Sequence, residues 1–374
     1  MESEPEHYPR PLAGRLDALE GVGALREAAE RASAPAYLVG GSVRDLLLGA
    51  DRVDIDVAVE GDPVALARAL GGKPRVHERF ATATVALDGH TVDLAATRAE
   101  SYSRAGALPT VRPAPLADDL SRRDFTVNAM AVPLLGDPEL IDLHGGLDDL
   151  RTGILRDLHP RSFIDDPTRA LRAGRYAARL GFVPEPGTLE RLRAADLGTV
   201  SAERVEAELR RLAAERSARR GFELLAEWGL VALAATAGEL IDGVIEASAG
   251  PGWPEVDRRA DAVLAAARGE HGPDKLVTAV PASPSEAVRF ARGHGPVDLL
   301  LARAGGAVWL DRYVADWSRV RLAIDGRDLL GAGVPEGPAI GRGLAAALDA
   351  KLDGVATDRE AELRIALAAA AAGS

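Results

Sequence analysis

The stretch YLVGGSVRDLLLG (Tyr37–Gly49), followed shortly by DIDVAVEG (Asp54–Gly61), decides the fold class. Tyr37-Leu38-Val39 reads as a short buried strand. Gly40-Gly41 supplies a tight turn where backbone can approach a ligand closely. Ser42 is placed to cap a helix from about Val43 to Leu48, ended by Gly49. A strand, a glycine turn and a helix N-terminus together make an anion site from free N–H groups. Arg44 adds a positive charge in the first turn. Side chains alternate along a strand, so Asp54 and Asp56 share one face while Val53, Ile55, Val57 and Val59 take the other and can be buried. Adjacent carboxylates offer hard oxygen ligands for a divalent cation such as Mg²⁺, and paired metals suit phosphoryl transfer. An isolated Asp-x-Asp is most often a solvated strand edge. The glycine turn and Arg44 before it are what favour a chemical role.

Outward from this stretch, residues 12–33 read as an amphipathic helix with Leu16, Leu19, Leu25 and Ala29 among its apolar positions. Gly21-Val22-Gly23 follows no strand and is not a dinucleotide motif. Residues 36–135 form an α+β unit, with strands expected at 37–39, 53–59, 83–88 and 90–95 and a helix at 63–70. Asp88-Gly89 is a hairpin turn signal. Residues 100–117, holding Gly106, Pro109, Pro113 and Pro115, read as a loop. Beyond residue 137 the pattern turns helical, with helices near 145–151, 166–180, 187–195, 201–215 and 218–227. Gly and Pro break Ser248–Pro296 into short pieces. Residues 318–372 open on an apolar strand or helix and end in alanine-rich helix. No repeat of fixed period is present.

In their order, these motifs resemble the class II template-independent nucleotidyltransferases: tRNA CCA-adding enzymes and bacterial poly(A) polymerases, within the DNA polymerase beta superfamily. The resemblance continues through RRDFTVNAMA (Arg122–Ala131), IDLHGGLDDL (Ile141–Leu150), FIDDPTRALRAGRYAARLGF (Phe163–Phe182), SAERVEAELRRL (Ser201–Leu212) and LAIDGRDLLGAGVPEGPAIGRGL (Leu322–Leu344). It implies an α+β fold: a nucleotidyltransferase head of mixed sheet and helices (1–136), then an all-helical neck (137–200), body (201–310) and RNA-binding tail (311–374). It also implies a reaction in which an RNA 3′-hydroxyl attacks the α-phosphorus of a nucleotide in line and pyrophosphate leaves.

By resemblance, Asp54 and Asp56 are the catalytic carboxylates and hold Mg²⁺, and Asp93 stands where a third acid could lie. Gly41, Arg44 and Arg123 match residues that meet the nucleotide, and Asn128 is suited to a ribose hydroxyl or the backbone of the metal site. Arg122 is balanced between function and a solvated turn. Asp166, Arg169, Arg172 and Arg175 recur every three residues on one helix, form an inclined stripe, and are expected by resemblance to bind the nucleotide. Cytosine and adenine both present an amino donor beside a ring-nitrogen acceptor. A carboxylate and an arginine complement that edge, and uracil and guanine reverse it. Asp166 with Arg169 is therefore a protein template for C and A. The family's Glu-Asp is Asp165-Asp166 here, which alters the orienting acid and leaves the template acid in place. Arg204 and Glu208 read as an i,i+4 brace of the neck. Arg210, Arg211, Arg216, Arg219 and Arg220 are equally a backbone-contacting run or a solvated face.

The 374 residues carry a net charge of −12 and no cysteine. This length predicts two to four subdomains. Disulfides and Cys-based zinc sites are excluded. A uniformly basic nucleic-acid binder is excluded as well, though a local groove of arginines is not. The polar N-terminus is unlike a signal peptide, and no apolar run reaches membrane-spanning length, so no membrane partner and a cytoplasmic location are expected. The partners implied are the tRNA 3′ end, CTP and ATP. Addition of CCA, of CC only or of A only stays open; the untruncated loop Thr97–Ser121 favours A addition. A poly(A) polymerase would share these motifs but usually carries basic extensions. An inactive RNA-binding protein on the same scaffold is the remaining alternative, and the intact acid pair speaks against it. No His is followed by Asp, so no fused His-Asp phosphohydrolase is expected.

Overall fold

The computed structural model describes residues 12–50, 53–71, 74–77, 82–87, 90–256 and 258–372. The expected helix over 12–33 is two, α1 (Leu12–Asp17) and α2 (Val22–Ala32), because Gly21 takes a left-handed φ of 86° between them. β1 (Ala36–Val39) runs through Gly40 into α3 (Gly41–Leu48), which Gly49 ends. There follow β2 (Ile55–Val59), α4 (Pro63–Ala69), β3 (Arg75–His77), β4 (Thr82–Leu87), β5 (His90–Ala96), β6 (Arg98–Ser101), β7 (Thr110–Pro113), α5 (Leu116–Ser121), β8 (Met130–Pro133) and β9 (Ile141–Asp142). The mixed sheet has the order β3-β4-β5-β2-β1-β8-β9. β2 pairs β5 in parallel, and the other neighbours are antiparallel. Ile55, Val57 and Val59 are buried, as period-2 alternation requires. The expected turn at Asp88-Gly89 lies outside the described residues.

The segment expected as a loop over 100–117 instead contains a two-stranded ribbon, β6 with β7. Its residues are mostly half-buried or exposed, so no alternating apolar pattern marks it. Gly106, between the two strands, is at φ 67°, and a Cβ there would stand 2.5 Å from the Thr199 carbonyl oxygen. Only glycine fits that contact. Gly106 N–H also donates to the Ile164 carbonyl at 3.2 Å, so the ribbon is docked at its tip.

Next come α6 (Gly146–Thr152), β10 (Ile154–Leu155), α7 (Ser162–Asp165), α8 (Thr168–Leu180), β11 (Val183–Pro184), α9 (Pro186–Arg193) and α10 (Ala202–Ala213). The expected all-helical neck thus carries β9, an edge strand of the mixed sheet, and one short parallel pair, β10 with β11. The expected helix from 166 starts at Thr168. Pro167 forces the preceding residue out of helical geometry, and Asp166 sits at φ −136°, ψ 91°. Phe125 is fully buried and packs edge-on against Tyr176 at 5.9 Å and beside Phe163 at 6.4 Å. These aromatics join the Arg122–Ala131 segment to α8.

Two compact units divide the chain, Met1–Glu208 and Leu209–Ser374. The second holds α11 (Ala218–Glu227), α12 (Ala237–Ser248), α13 (Arg259–Ala267), α14 (Asp274–Val277), α15 (Pro284–Ala291), α16 (Pro296–Ala304), α17 (Leu310–Ala315), α18 (Gly326–Gly331), α19 (Pro338–Leu352) and α20 (Arg359–Ala371), and no strand among its described residues. α19 and α20 pack through Ala347 and Ala366, with Lys351 Nζ 2.6 Å from the buried Glu362 carboxylate. Among the described residues no helix is long and apolar enough to cross a membrane.

Candidate active site

Gly40 sits at φ 68°, ψ −128° and starts α3. Its missing side chain is used twice: the backbone angle suits glycine, and a Cβ would lie 2.5 Å from Arg123 Nη1. Ser42 is not the helix cap expected of it, since Gly40 holds that position. Its buried hydroxyl donates to the Asp54 carbonyl at 2.5 Å and accepts the Asp56 N–H at 2.8 Å. Ser42 therefore fixes the start of β2 against the glycine turn, bringing the acids to the helix N-terminus.

Asp56 lies on β2 directly beside Asp93 of β5 in the parallel register. Burial, then the Asp93 charge, raise the Asp56 pKa to about 6; Asp54 adds to this, while Arg123 and Arg44 oppose it. Asp54 is exposed just before the strand. Asp93 Oδ1 accepts the Thr84 hydroxyl at 2.6 Å. Among the described residues no three His, Cys, Asp or Glu groups close on one point as a ready-made cation cage. A cavity of about 280 Å³ opens on this sheet face, lined by Asp56, Thr84, Asp93, Asp119, Arg122 and Arg123.

Arg44 is 2% exposed. Its Nη1 donates to Asn128 Oδ1 at 2.6 Å, its Nε to Asp45 Oδ1 at 2.8 Å, and its guanidinium lies 5.2 Å from the Tyr176 ring centre. Asn128 Nδ2 donates in turn to Asp124 Oδ1 at 3.0 Å. Burial alone would raise the Asp124 pKa, but Arg172 and the Asn128 amide outweigh it and hold the value at about 2. Arg172 Nε donates to Asp124 Oδ2 at 2.7 Å, and its Nη1 lies 3.9 Å from Glu208. Asp124 thereby joins α3, the Arg122–Ala131 segment and α8.

Arg122 does not face solvent. It donates to Asp119 at 2.7 Å and to Glu100 at 2.9 Å, tying α5 to β6. Asp119 was missed, although Arg122 and Arg123 follow it at i+3 and i+4, a spacing that pairs opposite charges on a helix. Arg123 Nη2 bonds Asp119 Oδ2 at 2.9 Å.

The arginines of α8 do not form a free stripe; each turns to its own partner. Arg169 is buried, its Nη2 donating to the Arg122 carbonyl at 2.6 Å and its Nη1 to the Arg123 carbonyl at 3.2 Å. Arg175 lies over the Tyr176 ring at 4.5 Å. Asp166 Oδ1 accepts from the Thr168 hydroxyl at 2.6 Å and from Arg204 Nη2 at 2.8 Å. Asp166 Oδ2 and Arg169 Nε make no hydrogen bond among the described residues. Arg204 also donates to the Gly106 carbonyl at 3.0 Å, so it ties the ribbon to Asp166 where a brace along its own helix was expected. Asp165 pairs with Arg161 at 2.9 Å.

Residues 36–156 match the poly A polymerase head domain. An A-adding tRNA nucleotidyltransferase of Halalkalibacterium halodurans is 41% identical over 222 residues, 56% of this chain and 52% of that protein. The chain thus spans about half the length of that curated relative. A CC-adding tRNA nucleotidyltransferase of Deinococcus radiodurans is 37% identical over 326 residues, 82% of each chain. A solved CCA-adding enzyme in apo form aligns at a TM-score of 0.72 and 26% identity, covering 96% of this chain and 99% of that one. The Thermotoga maritima CCA-adding enzyme complexed with tRNA aligns at 0.65 and 26%, covering 96% and 98%. CCA-adding enzyme complexes with ATP and with CTP align at 0.70 and 0.69, at 27% and 26% identity, each covering 96% of this chain and 98% and 97% of theirs. With 82% of a 37%-identical curated relative matched, the chain belongs to the tRNA nucleotidyltransferase family.

Proposed function

We propose that this protein adds all or part of the 3′-terminal CCA to tRNA from CTP and ATP, without a nucleic-acid template, releasing pyrophosphate, in the cytoplasm. The observation that carries the reading is the register placing Asp56 beside Asp93, at a glycine turn that aims a helix N-terminus at the same face. Crowded carboxylates, with the Asp56 pKa raised by burial and by Asp93 and with no closed cage among the described residues, would fit a cation held by one or two protein oxygens. Mg²⁺ is the proposed ion, with Asp54 and Asp56 holding it. When bound it neutralises charge at the phosphates and orients them.

The remaining roles belong to the chain itself. Gly41 lets the backbone of α3 approach the triphosphate, and Arg44 and Arg123 supply fixed positive charge beside it. Asn128 keeps Arg44 oriented. Asp166 and Arg169 read the base edge, Oδ2 accepting from the exocyclic amino group and Nε donating to the ring nitrogen. Arg172 ties α8 to Asp124, and Arg175 lies on the ring of Tyr176 on the same helix. A base presenting the reversed pattern leaves these groups unpaired, which gives strong rejection.

The test is incorporation on three tRNA transcripts, ending at the discriminator base, at CC and at CCA. Stepwise addition of C, C and A that then stops supports the full reaction. Addition limited to CC, or to the terminal A, assigns a half-reaction that needs a second enzyme. Long A tails on any RNA, or no incorporation, defeat the proposal.

A further inference from the structure

Asp119 is 1% exposed, although it is an acid on a six-residue helix. Every one of its side-chain bonds runs toward the nucleotide-facing arginines or the ribbon. Oδ1 accepts from Arg122 Nε at 3.0 Å, from Arg122 Nη2 at 2.7 Å and from the Arg98 N–H at 3.2 Å. Oδ2 accepts from Arg123 Nη2 at 2.9 Å. The other anchor of Arg123 is weak, the Asn128 carbonyl at 3.5 Å, and Arg123 Nε is buried without a hydrogen-bond partner. Arg123 Nη1 occupies the space where Gly40 lacks a Cβ. Its guanidinium is thus held over the glycine turn by one strong, charge-assisted bond, and that bond belongs to Asp119.

We infer that Asp119 is a positioning residue for nucleotide binding: it acts through Arg123, locking the guanidinium above the Gly40–Gly41 turn so that a triphosphate meets a preformed cation. This deepens the reading above and rests on it. The carboxylate oxygens are taken up by Arg122, Arg123 and the Arg98 N–H, and the role assigned to them involves no bond exchange. Its contribution is the loss of freedom it imposes on Arg123 before the ligand arrives.

The experiment is a double-mutant cycle read by calorimetric binding of CTP and of ATP to the full chain with Mg²⁺, using Asp119→Asn, Arg123→Gln and the double variant. Asp119→Asn is expected to weaken binding about 10-fold, the size of one charge-assisted hydrogen bond. The double variant is expected to bind no more weakly than Arg123→Gln alone. If Asp119→Asn does not fold, Asp119→Glu replaces it; the carboxylate displaced by one methylene must weaken binding in the native background and not in Arg123→Gln. Unchanged affinity in a folded Asp119 variant overturns the inference. So does a double variant that loses the product of the two single effects, which marks a merely structural acid. So does a native chain that binds neither nucleotide. Nucleotide binding with no incorporation into tRNA defeats the transfer reaction alone and leaves Asp119 in its role.

Discussion

Burial and the Asp93 carboxylate together raise the Asp56 pKa to about 6, so at pH 7 the ionised side chain is held against the preference of its surroundings. A group whose folded pKa lies above its unfolded value opposes folding in its charged form. Asp56→Asn removes that charge and keeps the shape. The expected result is a thermal midpoint, measured without divalent cation, that rises by about 2–4 °C for each kcal/mol relieved, together with loss of nucleotide incorporation. An inactive Asp56→Asn that is also less stable than the native chain would assign the residue to the scaffold. Asp56 was legible as a strand residue because alternation sets it opposite the buried Ile55, Val57 and Val59, whereas Asp54, expected on the same strand face, precedes the strand. Ser42 was legible only as a cap. Its bonds to the backbone of Asp54 and Asp56 cross from helix to strand, and local patterning carries no trace of that pairing.

At the scale of elements, Asp124 is the residue through which α3, the Arg122–Ala131 segment and α8 are bound. Arg172 and Asn128 hold its pKa at about 2, below the ordinary 3.8. The sign follows from linkage: a depressed carboxylate pKa contributes stability that is fully present above the unfolded value and is lost as pH falls through the folded one. Its contribution is on the order of 2 kcal/mol, and the window lies between about pH 4 and 2. Asp124→Asn should therefore be clearly less stable than the native chain at pH 6, by urea or thermal unfolding, and the difference should narrow toward pH 2. A constant difference across that range would mean the carboxylate charge contributes nothing. The long helices and buried strands were legible because their periodicity is strong. The β6–β7 ribbon was not: its strands are short, half-exposed and bounded by prolines, so tertiary contact at Gly106 holds what propensity does not mark. The α8 arginines were legible as a repeat, but the destinations of Arg172 at Asp124 and of Arg169 at the Arg122 and Arg123 carbonyls are set by what packs around the helix.

For the whole molecule, a net charge of −12 opposes general attraction of a polyanion, so the proposed binding of tRNA rests on local groups of arginine. The sequence offers the run from Arg210 to Arg220 as one such group. In the structure much of that run is already neutralised. Arg210 pairs with Asp261 at 2.8 Å, Arg219 with Glu223 at 2.9 Å and with Asp242, and Arg220 with Glu227 at 2.7 Å. Exposed pairs of this kind add little stability, yet each acid cancels the field its arginine would present to a phosphate. The affinity of the native chain for tRNA should fall as salt is added, each phosphate contact contributing roughly 0.7–0.9 to the slope of log K against log salt. Replacing Arg210, Arg219 or Arg220 singly by alanine should leave that slope within less than one contact of the native value. Filter binding of tRNA across a KCl series measures it directly. A slope that drops by a full contact with each substitution would show that RNA displaces the acids and takes these arginines for itself. A flat native slope would remove phosphate tracking from the recognition of tRNA altogether.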